Sequence, residues 1–122
     1  MASGTKQKIF IEGKFTSLNK YIDANRVNRY KGAKIKKSET FAAYIQAKAS
    51  GVKFETPCNI KFTWYISDLR TDPDNVASAK KFILDGMVQA GVIPDDKYKQ
   101  ILGFTDTFEL SKNKIGVMIE RV

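Results

Sequence analysis

Two pairs of aspartates are the residues best suited to chemistry in this sequence. Asp72 and Asp74 lie in residues 70–75 (RTDPDN), and Asp95 and Asp96 follow later in the chain. Two carboxylates at positions i and i+2 after a strand are able to converge on one hard cation, and Mg²⁺ prefers a few carboxylates together with water and phosphate oxygens. A magnesium centre of this kind suits hydrolysis of a phosphodiester.

Both pairs also have a purely structural interpretation. Asp72 could cap the start of a helix whose dipole would stabilise Asp74. Asp95 and Asp96 could lie in a solvated turn. Arg70, beside the first pair, could hold a phosphate near a metal or simply neutralise Asp72. The spacing alone therefore leaves the choice between a metal site and capping residues open.

The composition excludes several other mechanisms. The chain has 122 residues, with no His and one Cys, so imidazole is not available as a base, as the partner of a nucleophile or as a metal ligand. The single Cys58 cannot close an intrachain disulfide, and no apolar run approaches the roughly 20 residues of a membrane span. We therefore expect one domain over residues 1–122, in a reducing, cytoplasmic setting and without membrane contact.

Positive charge is concentrated in the first part of the chain. Residues 1–53 contain 12 basic and 3 acidic side chains, a net charge of +9, whereas residues 54–122 contain 9 basic and 10 acidic side chains, a net charge of −1. This asymmetry predicts a surface that grips an anion, and DNA is the expected partner.

The densest basic stretch predicts contacts with phosphates that do not depend on sequence, unless it forms only a solvated basic face. We call its six charged side chains the basic segment: Arg26, Arg29, Lys31, Lys34, Lys36 and Lys37. Tyr30, within the same stretch, is expected to pack against the protein rather than to stack on an unpaired base.

Hydrophobic periodicity predicts a strand at residues 8–15 and then two helices. Ser17 is suited to cap the first helix, and Gly51 is placed to end the second. The second helix presents four apolar side chains on one face: Phe41, Tyr44, Ile45 and Ala49. Whether Gly32 breaks the helical stretch is not decided by the sequence.

The second half of the chain predicts three further strands and one helix. Strict alternation at residues 59–66 predicts a strand with Trp64 in the core, and a helical period over residues 75–90 ends at Gly91. Residues 100–109 and 115–121 predict two strands joined as a hairpin. The order β, α, β, α, β, β predicts an α+β domain, with helices packed on a small mixed or largely antiparallel sheet.

Residues 72–96 (DPDNVASAKKFILDGMVQAGVIPDD) resemble the RusA family of Holliday junction resolvases, many of which are encoded by prophages. The shared features are Asp-x-Asp-Asn, a Lys in the following helix, a helix ending in Ala-Gly, then Asp-Asp and two strands. Residues 17–21 (SLNKY) are similar to the Asn-x-Tyr element near the start of the family. The weaker similarity reaches over most of the chain.

This resemblance implies a homodimeric, RusA-like endonuclease that depends on Mg²⁺ and cuts four-way DNA junctions symmetrically in recombination and repair. It implies that Asp72, Asp74 and Asp96 hold the metal and act in catalysis, and that Asp95 and Asn75 support them. The expected setting is the cytoplasm of a bacterial or phage-infected cell.

Two lysines are candidates for the lysine of the family pattern. Ser78 stands at the usual position, and Lys80 and Lys81 follow it. On a continuous helix Lys81 lies about 20° around the axis from Asp74, and Lys80 lies roughly 120° away. We therefore expect Lys81 to place a cation near the scissile phosphate. If the extra residues lie in a loop, Lys80 stays possible, and Lys81 could form only an ion pair with Asp85.

The distance between the acidic pairs allows two arrangements. A helix over residues 75–90 would be roughly 24 Å long, and the residues after it reach back at most roughly 20 Å. We expect the helix to end early, near Met87, so that the loop doubles back within one subunit. The alternative is a two-fold dimer in which Asp96 of one subunit meets Asp72 and Asp74 of the other.

Two other functions fit the same residues. One is a non-catalytic basic protein that binds DNA and whose acidic loops only cap helices. The other is a metal-dependent nuclease for other branched DNA, such as flaps. The first predicts binding without cleavage that depends on a divalent cation.

Overall fold

A computed structural model describes residues 7–122, apart from the side chain of Leu18. The elements in this range are β1 Lys8–Glu12, α1 Leu18–Val27, α2 Arg29–Ser50, β2 Cys58–Ile66, α3 Pro73–Ala77, α4 Lys80–Ala90, β3 Ile101–Leu110 and β4 Gly116–Arg121. The strands form one mixed sheet with helices packed on it, which confirms the predicted α+β class. No helix of residues 7–122 is long and apolar enough to cross a membrane.

The order of strands in the sheet is β1-β4-β2-β3. The predicted hairpin is wrong, because β3 and β4 lie on opposite sides of β2: β4 pairs with it antiparallel and β3 pairs with it parallel. Parallel pairing requires a long crossover connection, and α3 and α4 supply it. Residues 70–75 consequently lie beyond the carboxyl end of β2, where the crossover begins.

The core lies on the face of the sheet to which alternate side chains of β2 point. Ile60, Phe62 and Trp64 are at most 3% exposed, so the predicted core position of Trp64 is confirmed. They form one cluster with residues of the neighbouring strands and with Ile83 and Met87 of α4. Burial of this cluster attaches the crossover helix to the sheet.

The ends of the first two helices follow from their capping residues. The side chain of Ser17 caps α1, as predicted, and Gly51 ends α2 with a φ of 66°. Asn28 separates the two helices, because its extended backbone ends α1 and its side chain accepts a hydrogen bond from the Tyr30 N–H, at 2.7 Å. Gly32 lies buried within α2 and does not break it. Strand β1 ends at Glu12, whereas the sequence predicted a strand that continues to residue 15.

Close contact between α2 and α4 is made possible by Gly86. A Cβ on this residue would lie 2.7 Å from the backbone nitrogen of Tyr44 and 2.8 Å from the Cβ of Ala43. The side of α2 that is buried here and elsewhere along the helix consists of small residues: Gly32, Thr40, Ala43 and Ala47. The two helices therefore touch almost backbone to backbone.

The apolar face that the sequence predicts on α2 lies largely at the surface. Phe41 and Ile45 are 57% and 48% exposed, Ala49 is exposed, and only Tyr44 is partly buried. Helix α2 has two apolar sides, and the side with the smaller side chains packs against Gly86. The bulkier side is left at the surface of the single chain.

The predicted single helix over residues 75–90 is also wrong, because it is divided into α3 and α4. At the joint the Ala79 N–H donates to the Val76 carbonyl, at 3.3 Å, and the Lys81 N–H donates to the Ser78 carbonyl, at 3.4 Å. These bonds reach back three residues instead of four, so the turn is tighter than in an α-helix. The end of α4 is as predicted, since Gly91 follows Ala90 with a φ of 81°.

Replacing Gly86 by Ala should destabilise the protein by about 1 to 3 kcal/mol, because the new methyl group would force α2 away from α4. Urea denaturation of both proteins measures the difference. Gly103→Ala is the matched control, since its Cβ would approach only the side-chain Oδ1 of Asn59, at 2.9 Å. We expect the control to change stability by less than about 0.5 kcal/mol. Equal losses in both variants would contradict the tight helix contact.

Candidate metal site and nucleic-acid groove

The first acidic pair lies at the start of α3. Asp72 occupies the N-cap position and Pro73 follows as the first helical residue, but the Asp72 side chain makes no capping hydrogen bond. Asp74 accepts a hydrogen bond from the Asn75 N–H, at 3.0 Å. Both carboxylates are exposed. Asp72 therefore occupies the capping position, but its side chain does not cap the helix.

Asn75 connects this pair to the start of α1. Its Oδ1 accepts a hydrogen bond from the Asn19 N–H, at 3.2 Å. Two residues further along α1, the ring of Tyr21 packs edge-on against Phe82 of α4, with centroids 5.4 Å apart. Residues 17–21 and residues 72–96, which are distant in sequence, are thus in direct contact.

Arg70 lies beside the pair without binding to it. Its side chain is exposed, and its backbone N–H donates to Oδ1 of Asp68, at 2.9 Å. Arg70 forms no ion pair with a carboxylate of residues 7–122, so it does not neutralise Asp72 in the single chain.

The second acidic pair lies against the side of α4. The helix continues to Ala90, so the predicted early end near Met87 is wrong, but the loop after it does double back. Asp96 Oδ2 lies 4.0 Å from Nζ of Lys81, which belongs to the first turn of α4. Asp95 accepts a hydrogen bond from the Asp96 N–H, at 2.8 Å. The second pair is therefore next to the predicted catalytic lysine.

Lys80 and Lys81 have opposite environments. Lys80 is 19% exposed, and its Nζ lies 2.7 Å from Oδ2 of Asp106, whose other oxygen accepts a hydrogen bond from Trp64 Nε1, at 2.9 Å. The same ammonium lies 4.5 Å from the ring centroid of Phe104. Lys80 is therefore held by core contacts. Lys81 is 64% exposed.

Lys81 keeps its proton in the neutral range. Its hydrogen bond to Asp85, at 3.1 Å, and the negative charges of Asp85 and Asp96 raise the pKa of Lys81, although partial burial opposes them. Because folding raises this pKa, the ion pair stabilises the fold below the ordinary lysine pKa, and its contribution is lost only as the pH rises above it. Lys81 is therefore suited to act as a cation and not as a general base.

An open groove joins the second acidic pair to the basic segment. Three lysines of α2 form one side, and three carboxylates and two lysines form the other: Lys34, Lys36 and Lys37 opposite Lys81, Asp85, Asp95, Asp96 and Lys97. The other three members of the basic segment are exposed but lie outside the groove: Arg26, Arg29 and Lys31. Tyr30 is 84% exposed, so the expectation that it packs against the protein is wrong.

The structure does not bring the three predicted metal ligands together. Within residues 7–122 no group of three or more His, Cys, Asp or Glu side chains is close enough to hold a metal ion. The metal-binding roles of Asp72, Asp74 and Asp96 stay predictions. The donor chemistry of the first pair fits Mg²⁺, because this ion is often held by one or two carboxylates, with substrate phosphates and water as the other ligands.

Several residues of the site were not recognised from the sequence. Lys97 lines the groove, and its Nζ lies 3.9 Å from Asp96. The sequence contained no signal for Asp106, because its pairing with Lys80 depends on the parallel register of β3. The ion pair of Lys81 with Asp85, which the sequence had suggested, is present at 3.1 Å. Cys58 is buried, and burial raises the pKa of its thiol, so it acts as a packing residue.

Comparison with known proteins adds no family assignment. A search with protein-family models finds no match to this chain, and a search of curated proteins finds no similar sequence.

Replacing each lysine by Met should separate their roles. Lys80→Met leaves Asp106 with only one partner and should lower the free energy of unfolding by about 1 to 3 kcal/mol. Lys81→Met breaks an exposed ion pair and should change the free energy of unfolding by less than about 0.5 kcal/mol. Urea denaturation at neutral pH measures both values. A larger loss for Lys81→Met would contradict the assignment of Lys80 as the structural lysine.

Proposed function

We propose that this protein is a Mg²⁺-dependent, structure-specific endonuclease that resolves four-way DNA junctions, acting as a homodimer. The observation that carries the proposal is the groove in which lysines of the basic segment face Lys81, Asp95 and Asp96. DNA backbone lying on the lysines would pass directly beside the carboxylates. The resemblance of residues 72–96 to the RusA family supplies the substrate class.

The lysines of the groove suit a phosphate backbone. Of residues 7–122, five lysines and three aspartates line it, so their net charge is positive although acidic groups lie within the groove. Lysines attract phosphates without reading bases, which suits a nuclease that recognises the shape of a junction. The exposed ring of Tyr30, four residues before the groove residue Lys34, is available to stack on an unpaired base.

The proposed chemistry is hydrolysis of a phosphodiester by water. Mg²⁺ bound by Asp72 and Asp74 would supply an activated water and stabilise the charge of the scissile phosphate. Lys81 stays protonated and would stabilise negative charge that develops on the phosphate or on the leaving oxygen. Asn75 holds the start of α3 in place through its contact with Asn19.

An exposed apolar surface supports the homodimer. Phe41 and Ile45 project from α2, and exposed side chains of this size are suited to be covered by a partner. Phe41 also lines the groove that contains Asp96. A second copy packed on these residues would lie next to Asp96 and could bring its own Asp72 and Asp74 to that carboxylate. We therefore propose that each metal site is completed across the dimer.

The second candidate function is binding of DNA without cleavage. It is favoured by two observations on residues 7–122: no three carboxylates gather into a metal site, and Asp96 already lies near the ammonium groups of Lys81 and Lys97. In that case the acidic residues would only balance the charge of the basic segment. A nuclease specific for flaps or other branched DNA differs from our proposal only in substrate.

Incubation with labelled four-way junction, flap and linear duplex DNA tests the proposal. We expect Mg²⁺-dependent cuts at symmetric positions in the junction, much slower cleavage of the other two DNAs and none in EDTA. Asp74→Asn should lower the rate at least about 100-fold, because it removes a charged metal ligand. Asp23→Asn is the matched control, since Asp23 is also exposed and lies on α1. Binding of junctions that stay uncut in Mg²⁺ would favour the second candidate, and preferential cutting of flaps would change the substrate.

Mixed dimers test whether the site spans two subunits. We expect Asp72→Asn and Asp96→Asn each to be inactive alone, and nicking to return when the two variants are unfolded and refolded together. One of the two sites in such a mixed dimer would then combine the intact Asp72 of the Asp96→Asn subunit with the intact Asp96 of the Asp72→Asn subunit. Nicked junctions on a denaturing gel give the result. Absence of rescue in mixtures shown to contain mixed dimers would mean that each subunit closes its own site.

A further inference from the structure

A second cavity lies at the carboxyl end of β2, separate from the groove. It has a volume of about 320 Å³ and is bounded by the end of β2, the connection from β1 to α1 and the beginning of β4. It shares no lining residue with the groove around Asp96. Its volume is at the small end of the range of about 300–1,000 Å³ found for ligand pockets, which is room for one nucleotide and not for a base pair.

The lining of this cavity combines an aromatic ring with cations. Phe15, which is partly buried, supplies the aromatic ring. Trp64 also borders the cavity, but it is only 3% exposed, and the ring of Tyr65 lies on the other face of the sheet, against Phe10 and Lys114. Lys14 and Lys20 lie at its border, are exposed and form no ion pair with a carboxylate of residues 7–122. Aromatic faces stack on nucleobases, and unpaired lysines attract phosphates. This combination is typical of a site for a nucleotide.

Polar groups of the lining complete this chemistry. The hydroxyl residues are Thr16, Ser17, Ser67 and Thr71, and within residues 7–122 Asp68 is the one acidic residue that lines the cavity. Hydroxyl and carboxylate oxygens are suited to pair with the edge of a base. The two lysines exceed the single carboxylate, so the cavity has a net positive border.

The walls are fixed by contacts within the fold. The Gly13 N–H donates to the Ile115 carbonyl, at 3.0 Å, and the Thr16 N–H donates to Oε1 of Glu39, at 3.0 Å. The ammonium of Lys114 lies 4.4 Å from the ring centroid of Tyr65. The cavity is therefore preformed in the free protein and does not require a ligand to shape it.

The start of α1 borders the cavity but is not the source of its affinity for anions. The Lys20 N–H donates to Oγ of Ser17, at 3.4 Å, and the Asn19 N–H donates to Asn75, at 3.2 Å. These backbone donors already have side-chain partners. Any bound phosphate would therefore depend on the lysine side chains.

The cavity lies next to the first acidic pair. Thr71 and Val76, which line it, are the residues on either side of the segment 72–75. We propose that the cavity binds one unpaired nucleotide of the DNA, with its base against Phe15 and its phosphate on Lys14 and Lys20. This inference rests on the proposed function, because it makes the cavity the subsite for the nucleotide beside the scissile phosphate. A four-way junction offers such nucleotides at its centre, where pairing is easiest to open.

Binding of thymidine 3′,5′-bisphosphate in EDTA tests the cavity without any cleavage. Trp64 is the only Trp of the chain and lines the cavity, so its fluorescence reports on the site directly. We expect a saturable change that thymidine, which lacks phosphates, does not produce at the same concentrations. Lys14→Ala/Lys20→Ala should weaken binding at least about tenfold, because two charge-assisted contacts are lost.

Two further variants separate the cavity from general charge effects. Lys48→Ala/Lys53→Ala removes the same charge from exposed positions outside the cavity and should leave binding unchanged. Ser67→Phe fills the cavity without changing the charge and should abolish binding. Single-stranded oligothymidylate should compete with the bisphosphate, whereas the same sequence as a duplex should not.

Three results would overturn the inference: no saturable fluorescence change, equal losses in the two double-lysine variants, or equal competition by duplex and single strand. Failure of the nuclease proposal is distinguishable, because the binding assay contains no divalent cation. Nucleotide binding without junction cleavage would remove the nuclease and keep the cavity. Junction cleavage without nucleotide binding would support the nuclease and exclude the nucleotide site in the cavity.

Discussion

At Gly86, α4 presents no side chain, and the backbone of α2 lies directly against it. The first half of α2 contains most of the basic segment, and the loop after α4 contains Asp95 and Asp96. Since both helices are continuous through the contact, the close approach at Gly86 sets the distance between them at that point. The width of the groove between lysines and aspartates therefore depends on the missing side chain. A bulkier residue there would alter the groove without touching any of its charged groups.

The position of Lys81 likewise depends on the contacts of its neighbour Lys80. A step of one residue turns a side chain by about 100° around a helix, so Lys80 points to the sheet and Lys81 to solvent. Asp106 and Trp64 fix Lys80 in a network that joins α4 to β2 and β3. That network in turn holds the first turn of α4 and, with it, Lys81 beside Asp96. A core contact and a surface contact of adjacent residues therefore support the same local geometry.

The positions of the helices and strands were largely predictable from the sequence, but the pairing of the strands was not. Caps and stops have local signals, which is why Ser17, Gly51 and Gly91 were assigned correctly. The hairpin was wrong because adjacency in sequence is only a tendency, and the helical crossover lets β3 pair with β2 instead. The break between α3 and α4 was not predicted, because residues 78–79 contain no Gly or Pro.

The site shows the same limit. The sequence identifies the acidic pairs and the lysines, but their separation depends on the path of the loop after Ala90. The two apolar sides of α2 have the same helical period, so periodicity did not indicate which one is buried. Phe41 and Ile45 lie on the side of α2 that is exposed in the single chain.

The position of β4 has a consequence for how the protein is made. β4 lies between β1 and β2, and its register pairs Lys8 with Glu120, almost the full length of the chain apart. On the ribosome, β1 and β2 emerge first and have no strand between them until β4 follows. Until then the edges of β1 and β2 that pair with β4 have no hydrogen-bond partners from that strand. Contacts of such long range also slow the search for the native sheet.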